Sequence, residues 1–238
     1  MDKSMIGYGI IVILLIVLLY RNYKYQQFKN DKYQQFIKTL KNTYSQFGQD
    51  LDVVEYFKHK KKGYFIDVGA TNGITGSNTY LLEKKYNWNG ICIEPQDNTY
   101  HELIRNRDCH TDNSLLFSKK GKTFDFSNAG DLGGITDYID KHLGAKKSKQ
   151  TKKTTNTLNN ILIKYNAPKY IDYMSLDTEG SELEILKGIN FDKYHFGIMN
   201  IEHNFMEPRR SDIRKFLENK GYKYYKEKNV DDYYILIK

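Results

Sequence analysis

The chain has 238 residues, a formal charge of +8 from 37 Lys and Arg against 29 Asp and Glu, and only two cysteines and three prolines. This length supports one catalytic-size domain with a substantial core, and two cysteines outside any metal-type spacing exclude a disulfide framework and a structural zinc site. The basic balance does not read as a nucleic-acid groove, because only six basic residues are arginine, the side chain suited to bidentate base and phosphate contacts, and the lysines are spread over nearly the whole chain.

Residues 5–20 (MIGYGIIVILLIVLLY) form an uncharged apolar run slightly shorter than the roughly 20 residues that span a bilayer. No small-x-small cleavage site follows; Arg21-Asn-Tyr-Lys-Tyr25 is bulky and charged, so an uncleaved N-terminal anchor over residues 1–20 is expected. Lys3 is offset by Asp2 on one flank, whereas Arg21, Lys24, Lys29 and Lys32 lie on the other. The positive-inside rule therefore predicts a single-pass membrane protein whose large domain faces the cytosol. The absence of any Asn-x-Ser/Thr sequon agrees with that side. Residues 21–43 read as a juxtamembrane stalk. There Lys-Tyr-Gln-Gln-Phe occurs twice, and Tyr25, Phe28, Tyr33 and Phe36 fall on one helical face suited to a membrane surface or to the domain.

From residue 44 to 238, strand-length apolar runs alternate with amphipathic helical stretches, the pattern of an α/β domain with a mainly parallel sheet. A helix is expected over Leu51 to Phe57 with Asp50 as its cap. Strands are expected at Gly63–Gly69 and Ile91–Glu94, with helices at Ser77–Tyr86 and Asp97–Arg107. Ser114–Phe117 and Lys122–Phe126 read as a locally paired couple, and Ala145–Thr157 as an exposed mobile loop. A helix over Leu158–Tyr165 leads to a strand at Ile171–Asp177, after which Ser181-Glu-Leu-Glu184 has the form of a capping box. A strand at Gly197–Glu202 precedes a helix bounded by Pro208 and Gly221. Two final strands, Lys223–Lys226 and Tyr233–Ile237, imply one antiparallel member at the sheet edge.

The chemistry concentrates at strand ends. Asp67-Val-Gly-Ala-Thr-Asn-Gly73 is a glycine-rich turn between a strand and a helix, which lets backbone amides approach a ligand. Glu94, at the next strand end 21 residues after Gly73, is placed to accept both hydroxyls of a ribose. The turn lacks the G-x-G-x-x-G dinucleotide pattern and begins with an acid, which suits a cationic ligand such as S-adenosylmethionine. Asp177, Glu179, Glu202 and His203 end two later strands and face the crevice where open α/β sheets bind ligands, with Asp177 and His203 placed to take a proton from an acceptor. Gln46, Gln49 and Asp50 are candidates to close over a cofactor, and Asn113 for an adenine contact. The acceptor pocket is expected in the variable loops Asn128–Lys153 and Asn204–Arg210. No metal site is assigned, although Asp177, Glu179 and Glu182 leave dependence on a divalent ion open.

Taken with Tyr44-Ser-Gln-Phe-Gly-Gln-Asp50, Ser77-Asn-Thr-Tyr-Leu-Leu-Glu83, Gly90-Ile-Cys-Ile-Glu-Pro95 and Ile171-Asp-Tyr-Met-Ser-Leu-Asp-Thr-Glu-Gly-Ser-Glu182, these motifs resemble the FkbM family of methyltransferases from about residue 44 onward. The resemblance implies a class I (Rossmann-like) methyltransferase fold with a mostly parallel seven-stranded sheet and one antiparallel edge strand. It implies S-adenosylmethionine as cofactor, framed by Asp67, Gly69, Ala70, Gly73 and Asn78 with Glu94 on the ribose, and Asp177 and Glu179 beside the methyl group. It further implies O-methylation of a sugar, glycan or related small acceptor. The competing expectation is a catalytically silent, membrane-tethered relative acting in trafficking or binding.

Overall fold

The computed structural model describes residues 18–27, 29 and 43–237. By its internal contacts the chain divides into Met1–Thr43 and Tyr44–Lys238. In the first unit, residues 18–27 and 29 are helical, with Leu18, Leu19, Tyr20, Tyr23 and Tyr25 exposed. Most of the expected anchor (residues 5–17) and most of the expected stalk lie outside the described residues. Among the described residues, no helix is long and apolar enough to cross a membrane.

The second unit is built on a seven-stranded sheet in the order β10-β11-β9-β8-β1-β2-β3. Its parallel centre comprises β1 (Tyr64–Val68), β2 (Asn89–Ile93), β3 (His110–Asp112), β8 (Tyr170–Leu176) and β9 (His195–Glu202). Strands covered on both faces need apolar residues at consecutive positions, and β8 is buried from Ile171 through Leu176. On one face of the sheet pack α4 (Leu158–Lys164), α5 (Glu182–Lys187) and α6 (Arg209–Glu218), through Ile161, Leu186 and Ile213 against Ile66, Met174 and Met199. On the other pack α1 (Gln49–Tyr56), α2 (Tyr80–Tyr86) and α3 (Asp97–Asn106), through Val53, Leu81 and Leu103 against Phe65, Cys92 and Tyr173.

The antiparallel strand is not at the edge. β11 (Asp231–Leu236) runs antiparallel to β9 and to β10 (Tyr222–Lys228), so β10 closes the sheet. Burial explains the order: Tyr233 and Tyr234 of β11 are fully buried and need neighbours on both sides, while β10 alternates the exposed Lys223, Tyr225 and Glu227 with partly covered residues. The charged, solvated strand takes the edge.

The segment between β3 and α4 forms a separate four-stranded sheet, in the order β4-β7-β5-β6. Its strands are β4 (Leu115–Leu116), β5 (Thr123–Ser127), β6 (Gly134–Ile135) and β7 (Gln150–Asn156). This corrects two expectations. The Ser114–Phe117 and Lys122–Phe126 segments do not pair with each other, because β7 lies between β4 and β5 and pairs with both. The expected loop over Ala145–Thr157 contains a 3-10 turn at Ala145–Lys147 and the whole of β7. QTKKTTN has no apolar alternation to signal a strand; its backbone is held by pairing with β5 from Thr123 to Ser127, which a polar segment can do as well as an apolar one.

Candidate active site

A cavity of about 610 Å³ opens at the C-terminal ends of β1, β2, β8 and β9 and is covered by the four-stranded insertion. Cofactor and small-molecule sites occupy about 300–1,000 Å³. Three walls of different chemistry meet there.

The first wall is the turn after β1. Gly69 has φ +86°, and a Cβ on it would lie 1.8 Å from the Asp177 carbonyl oxygen, so only glycine permits this approach between the β1 and β8 ends. The Gly69 and Ala70 amides donate to the Ile93 carbonyl at 3.0 and 3.1 Å, folding the turn back over β2. Asp67 is buried at the strand end and accepts from Thr79 Oγ1 at 2.5 Å. Burial pushes its carboxyl up, against the Arg107 charge and the threonine hydrogen bond. Asn78 donates through Nδ2 to Ser175 Oγ at 2.9 Å, leaving its Oδ1 buried without a hydrogen-bond partner among the described residues.

The second wall is the end of β2. Glu94 is 6% exposed and accepts from the Thr71 amide at 2.9 Å and the Gln96 amide at 2.7 Å. Burial raises its carboxyl to about 7 even though these amides favour the anion. Beside it, Ile93, Leu115, Leu116, Phe126 and Ile135 supply an apolar surface, and the insertion is tied down by the Gly130 amide donating to Gln96 Oε1 at 3.0 Å.

The third wall is acidic. Asp177 and Glu179 follow β8, Glu202 ends β9, and one carboxylate oxygen from each lies within 4.8 Å of the others. Burial first, and then the neighbouring negative charges, push all three carboxyls up, Glu179 to about 7.

Residues 67–224 match the family model for the methyltransferase FkbM domain. The chain belongs to the FkbM methyltransferase family. Its doubly wound sheet, with one antiparallel strand next to the far edge, is the class I Rossmann-like arrangement of methyltransferases. Similar solved structures include the FkbM methyltransferase from Methylobacillus flagellatus, at 14% identity and TM-score 0.45 over 73% of this chain and 43% of that one. A TehB-like S-adenosylmethionine-dependent methyltransferase from Corynebacterium glutamicum matches at 8% identity and TM-score 0.44 over 88% of this chain and 97% of the other. Precorrin-6y C5,15-methyltransferase from Geobacter metallireducens matches at 12% identity and TM-score 0.42 over 78% and 84%. No curated protein matches the sequence.

In this family member the structure brings Asp67, Gly69, Ala70, Asn78, Glu94, Asp177 and Glu179 to one cavity. Three expected residues lie elsewhere. Gly73, with φ +80°, is not in the cavity wall but turned onto Leu103 and Arg107, which a Cβ would meet at 2.6 and 2.8 Å. Asn113 is not among the cavity-lining residues and donates to the Glu94 and Pro95 carbonyls at 2.8 and 3.2 Å, which ties it to the β2 end. His203 is 1% exposed; its Nδ1 accepts from the Phe205 amide at 2.9 Å and its Nε2 faces Asp232 Oδ1 at 3.5 Å, away from the cavity wall. Burial lowers the His203 imidazole below its ordinary value.

The lead-in also divides. Tyr44, Ser45, Gln46 and Phe47 line the cavity, whereas Asp50 accepts from the Tyr44 amide at 2.9 Å and from Ser45 Oγ at 2.8 Å and so holds that segment in place. Gln49 turns to Asp231, donating at 2.8 Å. The helix after this lead-in starts at Gln49 with Gly48 as its cap, not Asp50. The capping box at Ser181 does not form. Ser181 Oγ donates to Thr178 Oγ1 at 3.0 Å, and Glu182 instead accepts from the Thr178 and Gly180 amides at 2.9 and 3.0 Å and from Arg209 at 2.8 Å. Glu182 is therefore committed to holding the loop that carries Glu179.

Sequence reasoning missed Arg107, 5% exposed at the end of α3. Its guanidinium donates to Glu83 Oε2 at 2.8 Å, Thr79 Oγ1 at 3.0 Å and the Gly73 carbonyl at 3.2 Å, pinning the glycine turn from behind. Burial alone would raise Glu83, but the Arg107 charge and the Asp108 amide bring it down to about 2. A clue existed in the scarcity of arginine, six among 37 basic residues. Arg107→Met strands two buried carboxylates and is expected to cost about 3–5 kcal/mol, read as a loss of denaturant midpoint relative to the parent chain.

Proposed function

We propose that this chain transfers the methyl group of S-adenosylmethionine to a hydroxyl oxygen of a sugar, glycan or related small acceptor. The observation that carries the reading is the opposition, across one cavity, of the buried two-oxygen cradle of Glu94 and the acid group Asp177, Glu179 and Glu202. The residues present fit the cofactor. Glu94 offers a carboxylate to a ribose diol, the apolar surface from Ile93 to Ile135 suits a purine ring, Gly69 leaves room for close backbone approach, and Asn78 Oδ1 is a buried acceptor in need of a donor. When bound, the cofactor supplies an electrophilic methyl sulfonium. The protein's own contribution is to hold the acceptor oxygen in line, exclude water beneath the insertion, and receive the hydroxyl proton on a carboxylate at the end of β8 or β9. Family membership supports methyl transfer; the hydroxyl acceptor rests on this acid wall.

We place the domain at a membrane, tethered by residues 5–20 and facing the cytosol, on the apolar run and the positive charges that follow it. A single experiment tests activity and side together. Intact microsomes carrying the full chain are incubated with methyl-labelled S-adenosylmethionine, with and without external protease. Label is expected in a glycan or small hydroxylated acceptor and is expected to vanish on protease treatment. Absence of label together with no calorimetric heat of cofactor binding would sink the enzymatic reading and favour a silent tethered domain. Label that survives the protease would reverse the orientation.

A further inference from the structure

We propose that Asp177, Glu179 and Glu202 form a binding site for one divalent cation of the hard, oxygen-preferring class, magnesium or manganese, in the cavity wall. One oxygen from each lies within 4.8 Å of the others. Oxygens on opposite sides of a magnesium ion, at about 2.0–2.1 Å each, stand roughly 4.2 Å apart, so three oxygens within 4.8 Å of one another need to draw in by only a few tenths of an ångström to share one ion.

Two further observations point to a missing positive partner. Glu179 Oε2 and Glu202 Oε2 are buried with no hydrogen-bond partner among the described residues, on side chains only 6% and 5% exposed that border the cavity. Buried carboxylate oxygens are ordinarily satisfied by donors or by a metal. The nearby basic groups are engaged elsewhere: Arg209 with Glu182 at 2.8 Å and Asp140 at 3.2 Å, Lys141 with Asn204 Oδ1 at 3.1 Å. His142 Nε2 comes no nearer to Glu179 than 3.9 Å.

A second cluster in the same domain shows the alternative solution. His203, Glu227 and Asp232 also bring three potential ligands together, but Arg210 joins Glu227 to Asp232 and Arg214 reaches Asp232 at 3.0 Å. Guanidinium groups have taken the place a cation would fill there; none has done so at Asp177, Glu179 and Glu202.

Three carboxylates leave positions open on a six-coordinate ion, and two adjacent hydroxyls of a sugar would fill them. That role for the ion deepens, and rests on, the methyl-transfer reading, whereas the ion site itself rests on the geometry alone.

The test is titration of the full chain with manganese in the absence of cofactor, followed by the electron paramagnetic resonance of free Mn²⁺. One saturable site per chain is expected, weakened at least tenfold in Glu202→Gln and in Asp177→Asn. Both variants remove a repelling buried charge, so thermal melts without metal are expected to match or exceed the parent, which separates loss of the site from loss of the fold. Glu227→Gln, in the arginine-filled cluster, is expected to bind Mn²⁺ as the parent does. No saturable binding in the parent, or undiminished binding in both cavity variants, overturns the proposal. Calorimetry with S-adenosylmethionine in a chelator reports on the other reading: Mn²⁺ bound without cofactor binding keeps the ion site and sinks methyl transfer, and cofactor bound without Mn²⁺ does the reverse.

Discussion

Replacing Gly69 by alanine is expected to lower the melting temperature by about 10 °C and to abolish cofactor binding. Two costs coincide at this position. The backbone sits at φ +86°, where a side chain costs roughly 1–2 kcal/mol, and the new Cβ would stand 1.8 Å from the Asp177 carbonyl oxygen. That oxygen is backbone, so relief requires the β1 and β8 ends to separate, and the Asp177 amide donates to the Val68 carbonyl at 3.0 Å across the same junction. A total of about 3–4 kcal/mol follows, and in a domain of this size each kcal/mol is worth about 2–4 °C. Gly76 provides the control. It also has a positive φ, +70°, and borders the cavity, but nothing lies within 4 Å of its would-be Cβ. Gly76→Ala should therefore show the conformational cost alone, a loss of a few degrees. Equal melting temperatures for the two variants by calorimetry would show that the close approach at Gly69 is not a constraint.

The second large effect concerns Glu94. At pH 8, Glu94→Gln is expected to bind S-adenosylmethionine ten- to a hundredfold more weakly while being no less stable than the parent. The carboxylate's hydrogen bonds to two ribose hydroxyls are charge-assisted and worth about 1.5–3 kcal/mol. Stability runs the other way. The Glu94 carboxyl is raised by burial from its ordinary 4.5 to about 7, so the folded chain holds this proton more tightly than the unfolded chain does. The stability from that proton is fully present below pH 4.5 and is lost as the pH rises through 7, by up to about 3 kcal/mol at 1.36 kcal/mol per unit. Glutamine never pays this charge-burial term, which offsets the weakened acceptance from the Thr71 and Gln96 amides. The parent's melting temperature should thus decline between pH 5 and 8 more steeply than the variant's, while the parent's cofactor affinity should rise over the same interval as Glu94 ionises. A variant with the parent's slope in both measurements would remove Glu94 from the ribose position.

Much of this molecule was readable before folding. Apolar residues at both odd and even positions of Ile171-Asp-Tyr-Met-Ser-Leu176 require a strand covered on both faces, and a glycine-rich turn followed 21 residues later by Glu94 requires two adjacent strand ends with an acid over the first turn. These are local patterns, and the energies that enforce them, burial of apolar faces and glycine's freedom at positive φ, act over a few residues. What the chain could not reveal along its length were contacts made between distant segments. Whether β10 or β11 took the sheet edge depended on which one had both faces to cover. Thr123 to Ser127 turned a lysine- and threonine-rich stretch into β7 by offering backbone partners, which leave no trace in side-chain periodicity.

The same distinction separates residues that looked alike. His203 and Glu202 are neighbours at one strand end, yet alternation along the backbone sends Glu202 into the cavity and His203 toward Asp232. Glu182 and Glu202 were equal acids until Arg209 took one and the other kept a buried oxygen, Oε2, without a hydrogen-bond partner among the described residues. The sequence by itself determined the doubly wound sheet, the glycine turn and the acid at β2, because those rest on short-range sterics and burial. Only the tertiary structure decided which carboxylates were neutralised and which were left facing the cavity, because charge in a low-dielectric interior is settled by partners brought together from far apart in the chain.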